Sequence, residues 1–193
     1  MKILAAADLH ADEKAAEKLS EKAKKGKVDL IILAGDIFDY GGGRAEILDV
    51  FKKEKQKVLF IPGNCDFDEE SAELKKRAKC IHNYYVTYSD VGILGFGSPN
   101  WTLELNKNDL EKINKNFEKM KTKKKIFVSH LHAAGTKAEF SGIPGDYVIT
   151  KAVKNFKPDI LISGHIHEAE GLEDIIGETK VFQVGKKGKI IEV

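Results

Sequence analysis

Residues 159–171 read DILISGHIHEAEG. The apolar triplet Ile160-Leu161-Ile162 has the character of a buried strand, and it gives way to Gly164. Two histidines, His165 and His167, then flank a single isoleucine. Rings at i and i+2 can turn to one side of an extended chain. Neutral imidazole is the commonest metal ligand, but a histidine at a strand end is also an ordinary structural residue. The meaning of the pair depends on how the other strands end.

The same form recurs four times. KILAAA (2–7) runs into Asp8-Leu9-His10, and VDLIILA (28–34) into Gly35-Asp36-Ile37-Phe38-Asp39. KVLFI (57–61) runs into Pro62-Gly63-Asn64-Cys65-Asp66, and KIFVS (125–129) into His130-Leu131-His132. Helical stretches separate these strands. Asp12 caps one over residues 13–25, which Gly26 ends. Others are expected over 44–55, 68–79, 108–121 and from the end of a long 130–146 loop to Phe156. Near-continuous apolar strands alternating with helices predict a parallel sheet covered on both sides.

Two segments break the alternation. YYVTY (84–88) and VGILGF (91–96) flank Ser89-Asp90 as a hairpin. KVFQV (180–184) and KIIEV (189–193), with Gly185 and Gly188 between them, read as a second hairpin, and LEDII (172–176) is a further strand candidate. The fold expected is a layered α/β/β/α sandwich with two mixed β-sheets, formed as a single domain over residues 1–193.

In a parallel sheet all five polar endings lie on one edge, where open α/β folds bind ligands. Five of the six histidines fall there, and only His82 does not. Carboxylates, imidazoles and one amide make an oxygen and nitrogen donor set suited to Mn, Fe, Co, Ni or Zn, with Mg possible. Cys65 and Cys80 are the only cysteines, which excludes a thiolate-dominated zinc site and implies no disulfide framework.

Bulk properties narrow the function further. The chain has 193 residues, 42% of them hydrophobic, enough for a sizeable core. A formal net charge of +2 gives no electrostatic case for a nucleic-acid partner. The opening MKILAAADLH lacks the apolar segment of a signal peptide, and no apolar run approaches a membrane span. The expectation is a soluble, cytoplasmic protein without a membrane partner; the sequence specifies no oligomeric partner. The lysine-rich stretch KMKTKKKI (119–126) reads as a solvated helix end.

Taken in order, DLH, GDIFD, GNCD, SHLH and GHIH resemble the five motifs of the calcineurin-like metallophosphoesterase superfamily, D-x-H, G-D-x-x-D, G-N-H-[DE], a later His, and G-H-x-H. The resemblance spans nearly the whole chain and is strongest to small archaeal and bacterial members with a bare catalytic domain. It implies two divalent metal ions, Mn first among them. One would be held by Asp8, His10, Asp36 and His167, the other by Asp36, Asn64, His130 and His165, with Asp36 bridging. Two metals about 3.5–4 Å apart can activate a water molecule and clamp both oxygens of an in-line displacement. The substrate implied is a phosphate ester, more readily a phosphodiester. The alternative is a noncatalytic scaffold that binds partner proteins on the same fold.

The motifs also depart from the pattern. Cys65 stands where many members carry a histidine, and a thiol is a weak donor. Asn64, Cys65 and Asp66 form the candidate catalytic set beyond the pure ligands. Asp66 would orient Asn64 or Cys65, or begin a helix. Asp39 would support its loop or a ligand, and His132 would be structural or reach toward substrate. An expected terminal turn appears as Gln183-Val184-Gly185, and Trp101 would line the cleft or, more readily, play a plain packing role.

Overall fold

The computed structural model describes residues 1–40 and 42–193. Among the described residues, eleven strands form two sheets. The first contains β1 (Lys2–Ala6), β2 (Leu30–Ala34), β3 (Val58–Ile61), β4 (Lys79–Cys80) and β11 (Lys189–Glu192), in the order β11-β1-β2-β3-β4. The second contains β5 (Tyr84–Tyr88), β6 (Val91–Phe96), β7 (Lys124–Ser129), β8 (Ile160–Ser163), β9 (Glu173–Ile176) and β10 (Thr179–Gln183), in the order β5-β6-β7-β8-β10-β9. The helices are α1 (Glu13–Gly26), α2 (Asp49–Lys53), α3 (Asp68–Leu74), α4 (Lys107–Lys119) and α5 (Tyr147–Phe156).

Three cores explain the unbroken apolar strands. Alternate residues of a strand point to opposite faces. Ile3 and Ala5 of β1, Leu30 and Ile32 of β2, and Ile126 and Val128 of β7 fill the space between the sheets. Leu4, Ala6, Ile31 and Leu33 face outward onto Leu19 and Ala23 of α1. Phe127 and Leu161 face outward from the second sheet onto Phe117 of α4 and Val153 of α5. The expected sandwich of two mixed sheets between helical layers is therefore present.

Several expected elements differ. The 44–55 stretch divides into a 3₁₀ turn, Ala45–Leu48, and the short α2. Its buried residues are Ala45, Ile47, Leu48 and Phe51. The helix expected over 68–79 stops at Leu74, because Lys79 and Cys80 pair with Leu59 and Phe60 as a sheet edge. The closing hairpin is β9–β10 rather than β10–β11. Both edges of β10 are occupied, by β8 and β9, so β11 crosses to the other sheet and pairs antiparallel with β1.

β1, β2 and β3 run parallel in one sheet, and β6, β7, β8 and β10 in the other. Backbone bonds continue past the strand ends. Asp8 N donates to Gly35 O and His10 N to Asp36 O, each at 3.0 Å, and Gly164 N donates to His130 O at 3.0 Å. The polar endings are thus fastened to one another before any side chain is considered. Among the described residues no helix is long and apolar enough to cross a membrane.

Candidate metal centre

The loops at this edge hold an unusual backbone. Asp8 (φ 56°), His10 (47°), Asp36 (50°) and His165 (74°) all occupy the left-handed region. Non-glycine residues rarely adopt it, and such strain clusters at functional sites. Glycines make the close approaches possible. A Cβ on Gly63 would collide with the Asp36 carboxylate, and one on Gly35 with the His130 ring. This explains glycine at the start of GDIFD and GNCD.

On one side of the centre lie Asp8, His10 and His167, whose ligating atoms fall within 4.8 Å of one another. His10 Nε2 is 2.9 Å from His167 Nε2 and 3.7 Å from Asp36 Oδ2. His10 Nδ1 faces Asp39 Oδ1 at 3.4 Å, so Asp39 favours a proton on that nitrogen and leaves Nε2 as the lone-pair atom. Asp8 is fixed by the amide of His165, which donates to both of its oxygens at 3.1 Å.

On the other side lie His130, Asn64 and the second oxygen of Asp36. His130 Nδ1 donates to the carbonyl of Ala34 at 2.9 Å, which makes Nε2 an acceptor. That Nε2 sits 2.9 Å from Asn64 Oδ1 and 3.5 Å from Asp36 Oδ1. The Asn64 amide nitrogen is turned toward Cys65 Sγ at 3.4 Å, which points its oxygen at His130. The His165 ring packs edge-on to His130 with centroids 5.2 Å apart. The buried Gln183 amide donates to Gly164 O, so the residue that departs from the expected terminal turn secures the loop carrying His165 and His167.

This donor set fits divalent cations. Burial, reinforced by neighbouring Asp36, raises the Asp8 carboxyl well above its usual range. Burial lowers His10 and His130, and lowers His165 to about 4, so these rings are neutral at pH 7. Two buried carboxyl groups side by side, ringed by neutral imidazoles and facing acceptors, fit divalent cations, which would favour their ionised forms.

The remaining candidates fall into different places. Cys65 is wholly buried, and its amide donates to Asp36 Oδ1 at 2.8 Å. Burial and Asp36 push its thiol up to about 12. The Cys65 sulfur nevertheless lies within 4.8 Å of ligating atoms of His10 and Asp36. Asp66 does not orient the Asn64 or Cys65 side chains. Its Oδ2 accepts from the amides of Gly63 (2.9 Å) and Ile37 (3.2 Å), and its Oδ1 from Phe38 (2.8 Å), so it locks two motif loops together. His132 is buried, with Nε2 toward Ile143 O at 3.3 Å and its ring near parallel to His165 at 6.4 Å. His82 stands apart, accepting from Gly97 N at 2.9 Å.

Sequence reasoning passed over Tyr40. Its ring stacks on Trp101 with centroids 4.8 Å apart. Trp101 is 48% exposed, which favours the cleft-side position over a plain packing role. An aromatic directly after GDIFD was the one available signal.

The comparisons agree with this geometry. A family model for calcineurin-like phosphoesterases matches residues 1–169. An uncharacterized protein of Methanocaldococcus jannaschii, MJ1162, is 29% identical over 206 residues, covering 99% of this chain and 91% of its own. TT1561 of Thermus thermophilus superposes with a TM-score of 0.75 at 16% identity, covering 96% of this chain and 90% of its own. An archaeal phosphodiesterase superposes with a TM-score of 0.57 at 17% identity, covering 96% of this chain and 84% of its own. At these identities the two structures speak for the fold alone. With the family model spanning all five strand endings, the chain belongs to the calcineurin-like phosphoesterase family and is a metal-dependent phosphoester hydrolase.

Proposed function

We propose that the protein is a two-metal phosphoesterase acting on phosphodiesters, with Mn as the preferred ion. The observation that carries this reading is the split of Asp36, whose Oδ2 faces His10 Nε2 at 3.7 Å while Oδ1 faces His130 Nε2 at 3.5 Å. One carboxylate thus serves two clusters of donors. Asp8, His10, Asp36 and His167 would hold one ion; Asp36, Asn64, His130 and His165 would hold the other. The oxygen and nitrogen donors suit Mn among the borderline divalent metals.

When bound, two divalent ions supply Lewis-acid activation of water and charge neutralisation at the phosphoryl group. Asp8 and Asp36 offset half of their charge, leaving a net positive site for an anionic ester. Asp39 and the Ala34 carbonyl fix the tautomers of His10 and His130, and Asp66 fixes the spacing of the loops that carry Asp36 and Asn64. Cys65 places a thiol, a weak hydrogen-bond donor, where the motif histidine would stand, which favours esters whose leaving groups depart without protonation. A phosphodiesterase among the structural neighbours supports the same substrate class.

Hydrolysis of bis-(p-nitrophenyl) phosphate after chelation, and after return of Mn²⁺, Fe²⁺, Co²⁺, Ni²⁺, Zn²⁺ or Mg²⁺, tests the reading. Turnover is expected only with metal, and best with Mn²⁺. Hydrolysis of p-nitrophenyl phosphate but not of the diester would reject the phosphodiester assignment.

A further inference from the structure

Beside the centre stand two exposed aromatic rings that the hydrolytic reading leaves unused. Tyr40 is 63% exposed and Trp101 48%, and they stack with planes 20° apart. Tyr40 follows Asp39 directly, and its ring lies 6.5 Å from the His10 ring at an interplanar angle of 25°. Phe67 meets Trp101 edge-on at 5.9 Å.

The pair is held in place. Trp101 N donates to Asn64 O at 3.0 Å, and Asn100 N to Asp66 O at 3.3 Å. The Asn100 side chain exchanges hydrogen bonds with Asp68, accepting from its amide and donating to its carboxylate. Both Asn100 and Trp101 have φ of 59°. A bulky aromatic in the left-handed region is a backbone outlier, and burial does not compensate it here, since the ring is half exposed. The loop spends conformational energy on presenting a ring at the rim of the site.

We propose that Tyr40 and Trp101 form a stacking subsite for a planar ring carried by the substrate, which makes nucleoside phosphate esters the preferred class over esters of sugars or glycerol. The inference rests on the phosphoesterase reading of the neighbouring centre. The two rings already cover one face of each other, so a base stacks on an outer face of the pair, and the nearby carboxylates of Asp39 and Asp68 disfavour the polyanionic backbone of a long nucleic acid. They suit instead the N–H groups of a single base.

Trp101 is the sole tryptophan, so its fluorescence reports the subsite directly. In Mn²⁺-loaded protein, adenosine 5′-monophosphate is expected to quench it saturably, whereas ribose 5-phosphate is not. Tyr40→Ala should weaken the apparent affinity by about 10-fold, within the range of a base–aromatic stack. A kinetic comparison uses two strained diesters with the same ribose hydroxyl as leaving group and no aromatic one, adenosine 2′,3′-cyclic phosphate and ribose 2,3-cyclic phosphate. Trp101→Ala should lower the ratio of kcat/KM for the nucleoside ester over the ribose ester by about 10-fold, and Trp101→Phe, which keeps a ring, should restore most of it. Turnover of both esters with no ring-dependent quench, or an unchanged ratio in Trp101→Ala, overturns the subsite while leaving the hydrolase reading intact. Ring-dependent quench without turnover of either ester supports the subsite and overturns the catalytic reading.

Discussion

His130 Nε2 and Asn64 Oδ1 face each other at 2.9 Å, and both are acceptors. The Ala34 carbonyl takes the proton on Nδ1, and Cys65 turns the amide nitrogen away. Two lone pairs at this distance repel unless a cation lies against them. A metal that binds the folded state alone then stabilises it by about 2.7 kcal/mol at one hundred times Kd. The chelated protein is expected to melt about 5–10 °C below the Mn²⁺-saturated protein. Equal melting temperatures by calorimetry would contradict a cation at this pair.

A second expectation concerns pH. Burial lowers His10, His130 and His165, the last to about 4. Unfolded histidine titrates near about 6.5, so between these values the unfolded chain binds more protons. The stability these neutral rings permit is present above about 6.5 and is lost as pH falls toward the folded values. Asp8 runs the other way. Its raised pKa lets the folded metal-free protein keep a proton that the unfolded chain has released, so its contribution falls as pH rises from about 4. Asp8→Asn is therefore expected to raise the melting temperature of the metal-free protein at neutral pH while lowering its metal content. A lower melting temperature without metal would show that Asp8 is not under electrostatic strain.

Asp66 offers a test of the loop clamp. Both of its oxygens accept backbone amides, three in all. Asparagine has one oxygen and would set an NH₂ group against amide donors. Asp66→Asn should destabilise by about 1–3 kcal/mol for each buried amide left unpaired. Urea denaturation measures it, and a change below about 0.5 kcal/mol, the level of an ordinary surface substitution, would remove the clamp.

The five polar endings were legible because each sits directly after an apolar strand, so a local pattern places a distant partner. Contrary to expectation, the polar endings do not share the edge of one sheet: Asp8 and Asp36 follow β1 and β2 of one sheet, His130 and His167 follow β7 and β8 of the other, and the carboxyl ends of both sheets bring them together. What escaped reading depends on contacts with no local signature. A two-residue strand such as Lys79–Cys80 is too short to show alternation, and the path of β11 depends on which edges other strands have filled. Asp66 looked like a helix-start carboxylate because its amide partners at Ile37 and Phe38 lie in another loop. The Tyr40–Trp101 stack joins loops from two different sheets, and neither residue alone distinguishes it from surface decoration.

Cys65 bears on leaving groups. A thiol is a weak donor, and position 65 lacks the imidazole whose general-acid role typically contributes about 10²–10⁴-fold. Aryl esters should be turned over faster than alkyl esters, and Cys65→Ala should leave the ratio of their kcat/KM values unchanged. A selective loss on the alkyl ester would make the thiol the proton donor.

The central claim is that Asp36 bridges two ions. Elemental analysis of purified Asp36→Ala and Asn64→Ala, each reloaded with Mn²⁺ under the same conditions as the parent, tests it most directly. Asn64 faces only the His130 side, so Asn64→Ala should weaken one ion and keep the other. Asp36 faces both sides, and Asp36→Ala should lose the larger share of metal. Parent protein with two ions, and an Asp36→Ala protein depleted in both, is the predicted result. Two fully occupied ions in Asp36→Ala would contradict the bridge.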